Sequence, residues 1–152
     1  SKIYYNQIAN LQKMLTPRKT KYRRYHRRRN VNKDILATRN NKLHFGDMGL
    51  MILDPCELSS RQIEAARRVM ARHTKRGGKI WIKVFPHKTI TRKAHDVPMG
   101  SGKGSPDFFV ADLRAGTVVF EIAGTDQAMI RRALELAAYK LPSRCKVVTK
   151  EI

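Results

Sequence analysis

Residues 58–85 read as a helix, a stop signal and a strand in one uninterrupted stretch, and they constrain the fold more than any other part of the chain. Ser59 and Gln62 stand at the spacing of a capping box, which predicts that a helix begins after Ser59. The Gly-Gly pair after position 76 predicts a left-handed stop, and the alternating apolar residues of 79–85 predict a strand. The helix has only a narrow apolar stripe to bury, formed by Ile63, Ala66 and Met70.

The remainder of this helix is strongly cationic, with Glu64 as its single acid. A row of like charges on one helix face costs stability unless an anion neutralises it. A solvated surface helix is the simpler interpretation, but charge this one-sided favours binding to a polyanion. The basic residues of this face and of the last turn are Arg61, Arg68, Arg72, Lys75 and Arg76.

The charge of the whole chain supports the same interpretation. Its 152 residues include 32 Lys and Arg against 12 Asp and Glu, for a formal net charge of +20. This length predicts one domain, and such a charge is typical of proteins that bind nucleic acid. No apolar run reaches the roughly 18 residues of a membrane-spanning helix, and the two cysteines have neither zinc-knuckle nor disulfide-framework spacing. We therefore expect no membrane, metal, cofactor or small-molecule substrate.

The segment Arg18–Arg29 reads RKTKYRRYHRRR, and no acid precedes Asp34. It has nothing apolar to bury except two tyrosines, so it predicts an extended arm and not part of the core. Basic residues interleaved with aromatics suit contact with phosphates and exposed bases, whereas a localisation signal or a solvated tail is the alternative. We divide the chain into an extension (1–13), this basic arm (14–42) and a folded domain (43–152). The candidate RNA-binding cations of the arm are Arg18, Lys19, Lys21, Arg23, Arg24, Arg27, Arg28 and Arg29.

A long loop over residues 86–107 contains three prolines, three glycines and many cations. Its Gly100–Gly104 stretch does not match a nucleotide P-loop, because Gly104 stands where that motif needs Ser or Thr after the lysine. A dinucleotide fingerprint fails as well, since a strand follows and not a helix. We therefore interpret the loop as a mobile cationic hairpin tip that lies along nucleic acid. Its candidate contact residues are Lys88, Arg92, Lys93, Met99, Gly100, Gly102, Lys103 and Gly104.

The other segments predict more strands and a second helix. Asp54 and Pro55 predict a turn directly before the first helix, and Thr125 is the predicted N-cap of a second helix over 126–141. Two helices with mostly antiparallel strands predict an α+β sandwich that carries the arm and the long loop. The remaining predicted strands are 43–53, with a bulge or close backbone approach at Gly46 and Gly49, a hairpin of 108–113 with 117–123, and 145–149.

Four motifs, in this order, resemble large-subunit ribosomal protein L sixteen of bacteria and organelles. They are MLTPRKTKYR (14–23), RQIEAARR (61–68), GKIWIKVFP (78–86) and MGSGKG (99–104). The resemblance covers about residues 14–150 and implies a late-joining structural component of the large ribosomal subunit. It also implies contact with neighbouring ribosomal proteins and with ribosomal RNA beside the peptidyl-transferase region. The loop is implied to project toward A- and P-site tRNA and to help position them.

Some positions depart from the pattern of that family. Pro98 stands where the family usually has an arginine that some bacteria hydroxylate, so that modification is excluded here. Residues 30–45 match poorly, and this divergence and the extension 1–13 indicate an organellar protein. The extension favours a mitochondrial protein, whereas GSGKGSP (100–106) resembles plastid and cyanobacterial members; of the two we favour mitochondria. No catalytic carboxylate pair, nucleophile elbow or metal cluster stands out, so we expect no enzyme. A stand-alone RNA-processing or RNA-modifying enzyme is the alternative, and an architectural DNA binder is a third.

Overall fold

The structure is a computed structural model that describes residues 15–27 and 34–150. Within these ranges the chain forms seven strands and two helices, which confirms the predicted α+β class. The extension 1–13 lies outside the described residues. The strands are β1 (Met48–Ile52), β2 (Cys56–Ser59), β3 (Lys79–Ile82), β4 (Lys88–Arg92), β5 (Ser105–Leu113), β6 (Val118–Ala123) and β7 (Cys145–Thr149), and the helices are α1 (Ser60–His73) and α2 (Gln127–Ala138).

The strands form two antiparallel sheets, one in the order β3-β6-β1-β7 and one in the order β2-β5-β4. The predicted hairpin of 108–113 with 117–123 is therefore wrong, because β5 and β6 belong to different sheets. Both edges of β5 are already occupied, by β2 and by β4. The connection between β5 and β6 crosses from one sheet to the other, and there Gly116 N donates to Ile52 O at 2.7 Å.

The sequence predicts a turn directly before α1, but the structure has strand β2 there. It is only four residues long, and its partner is distant in sequence, since Cys56 pairs with Leu113. A strand this short has little pattern of its own and exists because β5 offers it an edge. Strand β1 is also shorter than the predicted 43–53, because residues 43–47 leave the sheet and fold over it.

Helix α1 begins as predicted. Ser59 Oγ accepts a hydrogen bond from Gln62 N at 3.3 Å, and Gln62 Oε1 accepts one from Ser59 N at 2.9 Å, which confirms the capping box. The predicted stripe of Ile63, Ala66 and Met70 is fully buried. These contacts orient the helix so that its cationic side faces away from the core.

The end of α1 differs from the prediction. The helix ends one turn early, where Thr74 Oγ1 donates to Met70 O at 3.0 Å. The left-handed positions are then Lys75 (φ 50) and Arg76 (φ 62), followed by Gly78 (φ 71). Left-handed backbone costs a residue with a side chain about 1–2 kcal/mol, so the surrounding contacts impose this turn and fix where both cations stand.

A single apolar core joins the helices to the four-stranded sheet. Helices α1 and α2 pack on each other, and α2 also packs on β1 and β7. Phe120 and Ile122 of β6 lie fully buried in this core. Helix α2 begins one residue later than predicted, with Asp126 and not Thr125 as its N-cap, and it ends at Ala138. No described helix is long and apolar enough to cross a membrane.

The close backbone approach predicted at Gly46 and Gly49 is confirmed. A Cβ atom on Gly49 would lie 2.4 Å from Leu43 Cδ2, and one on Gly46 would lie 2.8 Å from Ile122 O. Only glycine therefore allows residues 43–46 to lie this close to the sheet. Residues 36–40, which the sequence analysis assigned to the arm, also contact the domain, since Ala37 N donates to Ala115 O at 2.8 Å.

We predict that Met70→Ala lowers the free energy of unfolding by about 2–5 kcal/mol, because the Met70 side chain is fully buried and its truncation leaves a cavity in the core. Chemical denaturation monitored by circular dichroism measures the change. Tyr139→Ala is the matched control, since Tyr139 is largely exposed, and it is expected to shift stability by less than about 0.5 kcal/mol. Equal losses for both variants would contradict the assignment of the core.

Candidate nucleic-acid interface

The outward side of α1 is a continuous cationic face. Its apolar stripe points into the core, so the side chains about half a turn away, on the opposite side of the helix, are directed to solvent. The predicted RNA-binding residues of the helix and its turn are all exposed, and we call them the α1 face: Arg61, Arg68, Arg72, Lys75 and Arg76.

One acid neutralises part of this helix. Glu64 accepts two hydrogen bonds from Arg67, at 2.8 and 2.6 Å, and one from Arg68 at 3.0 Å. The Arg67 hydrogen bonds hold the pKa of Glu64 below its usual value, and Glu64 in turn raises the pKa of Arg67. Within residues 15–27 and 34–150, no carboxylate forms an ion pair with the other four cations of the α1 face, which are Arg61, Arg72, Lys75 and Arg76. Their charge is left for an external anion.

The arm meets the long loop, which the sequence analysis had treated as a separate contact region. Arg24 Nε donates to Gly104 O at 3.2 Å, and Lys103 Nζ donates to Tyr25 O. The two cationic segments therefore form one continuous surface, although they lie about eighty residues apart in the chain.

A third contact attaches the arm to the smaller sheet, where Arg27 Nη2 bonds to Glu57 Oε2 at 3.0 Å. The ring centroids of Tyr22 and Tyr25 lie 6.0 Å apart, edge to face. Arg28 and Arg29, also predicted as RNA-binding, lie outside the described residues. The described candidate cations of the arm are all exposed: Arg18, Lys19, Lys21, Arg23, Arg24 and Arg27.

The loop predicted over 86–107 is shorter than expected, because β4 and β5 pair along much of it. The irregular part is residues 93–104, which we call the tip. A Cβ on Gly104 would lie 2.6 Å from Arg92 O, so glycine closes the base of the tip. Gly100 (φ +107) and Gly102 (φ +95) have open space around them, and Met99 is 96 % exposed.

The predicted loop cations differ in their surroundings. Lys88 lies within β4, where its Nζ bonds to Asp112 at 3.0 Å and to Glu57 at 3.4 Å, and its side chain is mostly buried. This charge is used to join strands of the smaller sheet. Arg92 Nε lies 3.4 Å from a carboxylate oxygen of Asp107.

At the tip itself, lysines bond to backbone carbonyl groups. Lys93 Nζ donates to Gly100 O at 2.5 Å and to Pro98 O at 3.4 Å, so it folds the tip back on itself. Lys103 Nζ donates to the arm. The candidates with the most open surroundings are therefore Met99, Gly100 and Gly102.

A buried acid that the sequence analysis did not select holds the surface beside β3. Glu121 is fully buried, and its carboxylate accepts hydrogen bonds from the backbone N–H groups of His44 (3.1 Å), Phe45 (2.6 Å) and Gly46 (2.7 Å). Lys83 Nζ lies 3.4 Å from Glu121 Oε1. The signal available in the sequence was a single acid inside the otherwise apolar strand VVFEIA.

The environment of Glu121 favours its ionised form. Burial alone raises the pKa of this carboxyl, but the hydrogen bonds from Gly46, Phe45 and His44, together with the charge of Lys83, bring the pKa below its usual value. Three donors and one cation thus compensate the loss of water. No group of three or more possible metal ligands occurs in the described part of the chain.

Comparison with known proteins gives one family and several close relatives. The family model for "Ribosomal protein L16p/L10e" matches residues 17–148. "Large ribosomal subunit protein uL16c" of Trieres chinensis is 51 % identical over 137 residues, covering 90 % of this chain and 98 % of the relative. The protein of the same name from Phaeodactylum tricornutum is 49 % identical over 138 residues, with 91 % and 98 % covered. "Large ribosomal subunit protein uL16" of Spiroplasma citri is 52 % identical over 137 residues, with 90 % and 98 % covered.

We predict that Glu121→Gln lowers the free energy of unfolding by about 2–4 kcal/mol at neutral pH, because the amide keeps one acceptor and directs N–H groups at donors. The pKa of Glu121 is lowered in the folded state, so its contribution is complete above the unfolded pKa of about 4.3 and is lost as the pH falls through the folded value.

Urea denaturation at several pH values between 3 and 7 measures this contribution. The variant is expected to show a flatter dependence of stability on pH below about 4.3 than the wild type. Glu135→Gln is the control, because Glu135 forms only an exposed pair with Arg132 and should change stability by less than about 1 kcal/mol. Parallel pH profiles for wild type and Glu121→Gln would refute the role assigned to the carboxylate.

Proposed function

Because the chain belongs to the ribosomal protein L16p/L10e family, we propose that its cationic surfaces bind ribosomal RNA and that its tip faces tRNA. Membership rests on a family model that matches residues 17–148 and on relatives about half identical over almost their whole length. The protein is thus a structural component of the large ribosomal subunit and not an enzyme. The alternative of an RNA-processing or RNA-modifying enzyme is therefore wrong.

The α1 face supports the ribosomal RNA part of the proposal most directly. It keeps several cations on one exposed side without carboxylate partners among the described residues, while the opposite side of the same helix is buried. Such an arrangement loses stability by self-repulsion unless phosphates neutralise it. The arm extends the surface, since its eight described Lys and Arg residues are all exposed and only Arg27 among them forms an ion pair with an acid of the described residues.

The tip supports the tRNA part of the proposal. Its glycines at 100 and 102 have positive φ angles and open surroundings, so the backbone can approach a phosphate or a base closely. Met99 contributes nothing to the core, because it is 96 % exposed. Lys88 is outside this proposal, because its charge is bound within the smaller sheet.

We also propose that the ribosome concerned is that of a plastid. The extension 1–13 favours mitochondria, but the organellar relatives described above carry the chloroplast name uL16c, which favours a plastid. The relative from Spiroplasma citri is equally similar and has no organellar suffix in its name. Recovery of a tagged copy with large ribosomal subunits from isolated plastids, and not from mitochondria, tests this proposal.

We predict that binding to a ribosomal RNA fragment is dominated by phosphate contacts. With roughly six contacts, log K should fall against log salt with a slope of about −4 for single-stranded RNA. Arg61→Gln with Arg72→Gln should reduce that slope by about 1.4, because two phosphate contacts are lost. Fluorescence anisotropy of labelled RNA at several salt concentrations measures both values.

The control for this prediction removes two charges elsewhere. Arg131 and Arg132 are exposed on α2, and their joint replacement by Gln should leave the slope nearly unchanged. A wild-type slope shallower than about −1, or equal effects of the two double variants, would argue against an RNA-binding α1 face.

We predict that Met99→Ala with Gly102→Ala slows tRNA accommodation or peptide-bond formation by roughly threefold to tenfold, or about 0.6–1.4 kcal/mol in the barrier. Incorporation into large subunits should be unchanged, because neither residue contacts the arm or the core. Sucrose-gradient sedimentation of plastid and, separately, mitochondrial ribosomes measures how much of a tagged copy is incorporated into large subunits. We expect the tagged protein in the plastid subunits.

Arg24→Ala is the comparison variant, because it removes a hydrogen bond between arm and tip and leaves the tip sequence intact. It should affect incorporation more than the rate of translation. If the tip variant fails to assemble while its few assembled subunits translate normally, the tip is an assembly contact and the tRNA proposal fails.

A further inference from the structure

Three alternating residues, two in β3 and one directly after it, form a row that projects from the side of the larger sheet that faces away from the core. Ile80 and Ile82 pack against the core, so alternation places their neighbours on the opposite side of the sheet. These neighbours are Lys79, Trp81 and Lys83. The row belongs neither to the α1 face nor to the arm and the tip.

An exposed aromatic ring lies on this row. Phe45 is stacked on Trp81 with centroids 5.9 Å apart and an angle of 18° between the rings, yet it remains 61 % exposed. Lys83 Nζ lies 4.6 Å from the centre of the Phe45 ring, and Lys79 Nζ lies 5.3 Å from the centre of the Trp81 ring. We call this group of four residues the aromatic platform.

The platform is rigidly held. The backbone N–H of Phe45 donates to Glu121 at 2.6 Å, and the neighbouring N–H groups at 44 and 46 bond to the same carboxylate. Lys83 is held between Glu121 (3.4 Å) and His44 Nδ1 (3.2 Å), and its side chain is 12 % exposed. These hydrogen bonds fix the backbone that holds the Phe45 ring in its exposed position. The ring is therefore preorganised for ligand binding.

We propose that the aromatic platform binds one unpaired base of single-stranded RNA, stacked on the exposed part of Phe45, with Lys79 contacting an adjacent phosphate. This inference rests on the proposed RNA-binding function and adds a base-stacking site to it. Aromatic rings with flanking cations suit a nucleotide, which offers a π-face and a negative charge together. The net charge of +20 favours this occupant over an apolar segment of another protein.

The chain contains one tryptophan, so the emission of Trp81 reports on the platform alone. We expect a short oligoadenylate to change this emission on binding. An oligonucleotide of the same length that lacks the bases has the same phosphates, and it should bind through the arm without that change. The comparison separates stacking from charge.

Variants at Phe45 then test whether the ring is responsible. Phe45→Leu keeps an apolar side chain without a π-face, and it should weaken binding of the oligoadenylate by about 5- to 150-fold. Phe45→Tyr keeps the ring and should bind like the wild type. Tyr139→Leu removes a different exposed aromatic and should have no effect. Thermal unfolding confirms that each variant is folded.

The outcomes distinguish this proposal from the function on which it rests. If the oligoadenylate binds with the steep salt dependence expected above, but Trp81 emission and the affinity of Phe45→Leu are unchanged, the stacking site is overturned and RNA binding stands. If neither oligonucleotide binds at low salt, RNA binding itself fails. In the first case, a segment of another protein is the ligand that remains to be considered for the exposed Phe45 ring.

Discussion

The buried carboxylate of Glu121 is the interaction on which the outer surface of the larger sheet depends. A carboxylate without water is stable only when donors surround it, and here three consecutive backbone N–H groups and Lys83 meet that need. The requirement fixes residues 44–46 against β6. It thereby sets the entry into β1 and the position of Phe45, so one acid links the packing of the sheet to the surface that we propose binds RNA.

Across the described residues, several of the acids lie where they hold elements of the fold together, whereas many cations remain exposed. These acids form ion pairs, such as Asp54 with Arg144 at 2.8 Å and Asp112 with Lys88 at 3.0 Å. Glu57 ties both the arm and β4 to the smaller sheet. Cations are therefore neutralised where they hold the fold, whereas the α1 face keeps cations other than Arg68 without a carboxylate partner among the described residues. This arrangement gives a stable domain and a surface that attracts phosphate.

Local features were predictable because local physics decides them. The capping box at Ser59 and the stripe containing Met70 follow from the spacing of neighbouring residues, and both are present. The pairing of β5 was not predictable, because a strand chooses its partner through contacts across the whole chain. The contact between Lys103 and the arm joins residues 78 positions apart, so no local pattern signals it.

The sequence by itself determined the class of fold, the cationic character of the arm and of α1, and the family, since composition, periodicity and motif order are properties of the chain. Only the tertiary structure decided which charges are free. Lys88, Lys93 and Arg72 are similar in the sequence, but burial and nearby acceptors occupy the first two and leave the third exposed. The physical reason is that the electrostatic energy of a charged group depends on its distance from other charges and on its exposure to water, and folding sets both.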